Sequence, residues 1–68
     1  MGPRLRVDAE TFLQKARESG NTVIRTNKVL LQGYTYIVRA GDYFYYTISK
    51  EPLDLRDLEV EVVQGALL

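Results

Sequence analysis

The side chains able to do chemistry fall into two groups, carboxylates near the C-terminal end and tyrosines on two adjoining segments. Asp54, Asp57, Glu59 and Glu61 lie close together, and paired carboxylates can serve hydrolysis or hold a hard cation. Their spacing fits no calcium loop, and Glu59 with Glu61 at alternate positions is the pattern of a solvent-facing strand, so they are read as structural. There is no histidine, which removes the commonest general base at neutral pH, the Ser-His-Asp and Cys-His arrangements and most transition-metal sites. Cysteine is absent too, so no thiolate ligand, thiol nucleophile or disulfide is available. A phosphate cradle needs glycines clustered between a strand and a helix, whereas Gly2, Gly20, Gly33, Gly41 and Gly65 are scattered. The residues therefore point away from an enzyme and imply no cofactor and no metal.

Binding chemistry is better represented. Tyr34, Tyr36, Tyr43 and Tyr45 alternate along two neighbouring segments, so on a hairpin they share one face, with Val38 and Thr47. Each ring offers about 150–250 Å² to burial, enough for four to make a patch as large as soluble monomers usually leave uncovered. The patch can be covered by the chain's own tail, by a second copy in a homodimer, or by another macromolecule. The tail ends in Ala66, Leu67 and Leu68, apolar enough to pack on something. Nucleic acid is the competing partner: exposed aromatics on a sheet form a stacking platform, and Arg4, Arg6, Arg25, Lys28, Arg39 and Lys50 could meet phosphates. Strand parity divides that set, because Arg25 shares the tyrosine face and Arg39 takes the opposite one.

These side chains need a scaffold, and 68 residues allow one small core. Nine basic and nine acidic residues leave a formal net charge of zero, which gives no global attraction to nucleic acid or anionic lipid. The longest purely apolar run is three residues, as at Val29-Leu30-Leu31, too short for a membrane span, and the N-terminus lacks the apolar stretch of a signal peptide. A cytoplasmic setting is expected.

Residues 1–6 have no periodicity and are expected to be a flexible arm, with residues 7–68 a single α+β domain. Asp8 is a good N-cap, Ala9, Phe12, Leu13 and Ala16 recur at helical spacing, and Gly20-Asn21 is a left-handed stop. Val7 can staple onto Phe12 across the cap. Beyond Asn21 the residues become β-branched and aromatic. A strand over Thr22–Thr26, a tight turn at Asn27-Lys28 and pairing of Ile24 with Leu31 are expected, with a bulge at Gly33. Tyr34–Arg39 and Tyr43–Ser49 form the clearest hairpin, and Leu58, Val60 and Val62 alternate with Glu59 and Glu61 as a last strand. The expected architecture is one N-terminal helix on a four-stranded antiparallel sheet. Phe12, Leu13 and Ala16 are expected to cover the face of Ile24, Ile37, Phe44, Tyr46 and Ile48. The tyrosine face, with Val38, Leu67 and Leu68, would then be free for self-association or a protein partner. The function expected is a small non-catalytic protein-interaction module, a regulator or accessory subunit.

Overall fold

The computed structural model describes residues 3–26 and 33–63. It is an α+β domain with elements β1 (Arg4–Arg6), α1 (Ala9–Ser19), β2 (Val23–Thr26), β3 (Tyr34–Ala40), β4 (Tyr43–Ser49) and β5 (Val60–Val63). The helix is bounded by the residues expected to bound it. Asp8 is extended (φ −74°, ψ 168°) and its Oδ1 accepts from the Thr11 amide at 2.8 Å, satisfying one of the amides that a helix start leaves without a partner. Val7 packs against the core that holds Phe12, as a hydrophobic staple does. Gly20 ends the helix at φ 67°, its amide reaching the Ala16 carbonyl at 3.3 Å.

The central hairpin also follows its sequence signal. Ala40 pairs with Tyr43 across Gly41-Asp42, and the positive φ of 66° at Gly41 alone is the pattern of a type II′ turn. Gly33 is needed for a tighter reason than a bulge. Its φ is 117°, and a Cβ there would overlap the Ser49 carbonyl and the Lys50 amide.

The sheet differs from expectation. It has five strands in the order β1-β4-β3-β2-β5 and is mixed. β1 runs parallel to β4 and β5 parallel to β2, so only β3 opposes the others. The segment expected to be a loose arm supplies an edge strand, held at either end by Phe44 N to Pro3 O (3.0 Å) and Val7 N to Tyr46 O (2.9 Å). Three exposed residues with one aliphatic among them carry no strand signal, and a parallel partner forty residues on is invisible to local patterns. The expected pairing of Ile24 with Leu31 is also overturned. Ile24 pairs with Ile37 on one side and Glu61 on the other, using both edges of β2. Residues 27–32, with the expected Asn27-Lys28 turn, lie outside the described residues.

Topology decides which sheet face is covered. The β1–α1–β2 connection and the β4–β5 connection each join parallel strands and move the same way across the sheet. Two crossovers of one hand moving in one direction lie on the same face. The helix brings Phe12 and Ala16 to that face, and the second crossover brings Leu53, Leu55 and Leu58. The sheet answers with Val23, Tyr36 and Val38, backed by Tyr34, Tyr45 and Val60.

The partition of side chains between the two faces is therefore as expected, and the assignment of the core is reversed. The tyrosine face is the inner one. Tyr36 is 1% exposed, its ring is tilted against Phe12 at 6.1 Å between centroids, and its hydroxyl accepts from the Leu53 amide at 3.0 Å. A buried tyrosine needs such a partner, and the second crossover supplies it.

Phe12→Ala should lower stability by about 3–5 kcal/mol, whereas Phe44→Ala, on the half-covered outer face, should cost about 1–2 kcal/mol. Gly33→Ala should cost on the order of 3 kcal/mol, from forced positive φ and overlap with β4. Urea unfolding followed by circular dichroism measures all three, and a larger cost for Phe44→Ala than for Phe12→Ala would reverse the faces again.

Candidate interaction face

The outer face of the sheet is built by strand register alone. Arg6 pairs with Tyr46, Tyr46 with Ile37, Ile37 with Ile24 and Ile24 with Glu61. Paired residues point to the same side, so these five make one row across all the strands, a cation at one end and a carboxylate at the other. The next row begins Arg4, Phe44, Arg39 by the same pairings, and continuing the register places Thr22 and then Glu59 beyond them. Among the described residues, no helix or crossover lies on this face. Ile37 at its centre is 8% exposed, while Ile24, Phe44 and Tyr46 are half-buried and Arg4, Arg6, Arg39, Glu59 and Glu61 are exposed.

Between the rows lies a shallow depression of about 230 Å³ lined chiefly by Arg4, Thr22, Ile24, Ile37, Arg39 and Phe44. At one end of the face the pattern stops: Thr26 and Thr35 are buried, and the Thr35 amide donates to Thr26 Oγ1 at 3.3 Å.

The residues expected to form a binding site are distributed differently. Tyr36 and Val38 are in the core, and Tyr34 and Tyr45 are half-buried beside it. Only Tyr43 keeps substantial exposure, at 44%, leaning on Tyr45 at 6.4 Å. Lys15 stands 5.5 Å over the Tyr45 ring and Arg25 5.4 Å over that of Tyr34, so cations from α1 and β2 further cover these rings. Leu67, Leu68 and Lys28 lie outside the described residues. The expected nucleic-acid set divides as parity requires: Arg4, Arg6 and Arg39 share the outer face, and Arg25 sits on the inner one, its guanidinium on Tyr34. Sequence reading missed Phe44, Tyr46 and Ile24 as residues of a partly exposed face, since it assigned them to the core; Ile37, assigned there too, is on the outer face but buried.

Three aspartates are engaged in ion pairs or capping. Asp54 makes two bonds of 3.0 Å to Arg56, and Asp57 accepts from Arg17 Nε at 3.1 Å. Each arginine guanidinium, with a lesser contribution from a backbone amide, holds its partner's carboxyl below the ordinary carboxylate range. Hydrogen bonding from Thr11, by its side chain and then its amide, does the same for Asp8. A carboxyl held anionic in this way is a poor proton acceptor at neutral pH. Among the described residues no group of three potential ligands could hold a metal ion, and no helix is long and apolar enough to cross a membrane.

No family model, curated protein or solved structure matches the chain.

The lowered carboxyls fix the sign of acid sensitivity. Their contribution is present in full above the unfolded-state pKa, near 4, and is lost as pH falls through the lower folded values. Melting temperature should therefore be flat from pH 7 to about 5 and fall below 4. In Asp8→Asn, which retains a capping side chain without the charge, the fall should be smaller. Thermal unfolding across pH checks this.

Proposed function

We propose that the chain is a small, non-catalytic, cytoplasmic protein-interaction module, a regulator or accessory subunit, that self-associates through the outer face of its sheet. The observation that carries this reading is the continuous row from Arg6 through Tyr46, Ile37 and Ile24 to Glu61. An apolar centre with an aromatic anchor and a charged rim is the anatomy of a protein interface. Tyr46 and Phe44 supply large contact area with few rotors to freeze, and Tyr46 carries a hydroxyl suited to a wet margin. Tyr34, Tyr36, Val38 and Tyr45 serve the fold in this reading, and Leu67 and Leu68 belong to the interface on sequence grounds alone.

A second reading has a specific observation in its favour. Arg4, Arg6 and Arg39 stand beside Phe44 and Tyr46 on one face, the ingredients of a platform for single-stranded nucleic acid. Glu59 and Glu61 on the same face oppose it by repelling phosphates.

Light scattering across protein concentration separates these readings. The mass of the wild type should rise with concentration at low and at high salt, and Tyr46→Glu should shift the association constant at least tenfold while the helix and sheet signals persist. An unchanged mass for Tyr46→Glu would remove this face from the interface. A monomer that binds an oligonucleotide at low salt and releases it at high salt would establish the second reading instead.

A further inference from the structure

The charge on the outer face is polarised across the sheet. Arg4 and Arg6 lie on the β1 edge, Glu61 on the β5 edge with Glu59 just before it, and β3 is the middle strand of the five. We propose that the face takes a second copy of the same chain, packed sheet on sheet about a two-fold axis that runs along β3. The proposal rests on the self-association reading above and adds the orientation.

Two in-plane axes could bring identical faces together. An axis across the strands lays β1 on β1 and β5 on β5, placing arginine against arginine and glutamate against glutamate. An axis along β3 exchanges the edges: each row meets its own copy reversed, and Arg6 of one copy stands over Glu61 of the other. Arg4 likewise meets Glu59. Neighbouring strands are about 4.8 Å apart and packed sheets about 10 Å, so an extended arginine and a glutamate together bridge the gap at the rim.

The apolar centre suits the same axis. Ile37 and Arg39, both on β3, meet their own copies on the axis, Arg39 with its Nε donating to the Gly41 carbonyl at 3.4 Å within its own chain, and the large rings of Phe44 and Tyr46 on β4 fall opposite the smaller Thr22 and Ile24 on β2. Large against small is how facing layers interdigitate. A face of five strands by about three alternate residues is roughly 500 Å² per copy from these spacings. That is the lower limit of a specific interface, the size class of a dimer in exchange with monomer.

Arg6→Glu and Glu61→Arg, both at exposed positions, test the orientation. Each variant alone puts like charges face to face at both rims and should weaken self-association at least tenfold at low salt, with the circular dichroism spectrum unchanged. An equimolar mixture restores opposite charges at both rims and should associate as the wild type does, read by sedimentation velocity with one variant carrying a fluorescent label. If the wild type dimerises and the single variants dimerise equally well, or the mixture fails to, this axis is wrong while the interaction module stands. A wild type that stays monomeric at all concentrations overturns both the dimer and the self-association reading.

Discussion

Tyr36 is where the layers of this small domain are joined. Its ring lies against Phe12 of the helix, and its hydroxyl holds the Leu53 amide at the start of the second crossover. One side chain on the middle strand thus ties both connections to the same face of the sheet. The arrangement is demanding, because a phenol buried without a partner costs more than burial of its ring edge returns. The chain meets the demand with a backbone amide from a segment that forms no regular structure of its own. Beside it, Arg17 of the helix is bonded to Asp57 of the same crossover, a second and solvent-exposed tie between the two covering segments.

This contact also explains what could and could not be read from the residues. The helix was legible because its cap, its apolar stripe and its stop are local: Asp8, Phe12 with Ala16, and Gly20. The β3–β4 hairpin and the division of its side chains into two sets were legible because period-two alternation is local too. Which set faces the helix was not, since alternation is symmetric and both sets contain aromatics. Tyrosine's hydroxyl suggested a wet surface, and only the tertiary partner at Leu53 makes its burial favourable. Leu53 and Leu55 flank an interruption at Pro52 and looked like a mere connection. The parallel edge strands were hidden because their partners are far away along the chain, and the outer face, assembled from all five strands, inherited that obscurity.

The outer face shows how a chain of zero net charge can still be electrically organised. Arginines on one edge strand and glutamates on and beside the other cancel in the sum but not across the sheet. The inner face has a different kind of polarity, with cations held over tyrosine rings at two places. Charge on the inside shields rings at the margin of the core, and charge on the outside borders an apolar strip.

Both edge strands of the sheet are joined to it by parallel pairing, and that has a kinetic consequence. The β3–β4 hairpin closes through a two-residue loop, whereas β1 and β5 can dock only after the helix and the second crossover have bridged the sheet, and contacts that close long loops form late. The strands that arrive last carry the opposite charges of the outer face. A partly folded chain would expose the apolar strip of Ile37, Phe44 and Tyr46 without its charged borders, so stickiness would precede specificity during folding, and only the completed sheet would distinguish one orientation from another.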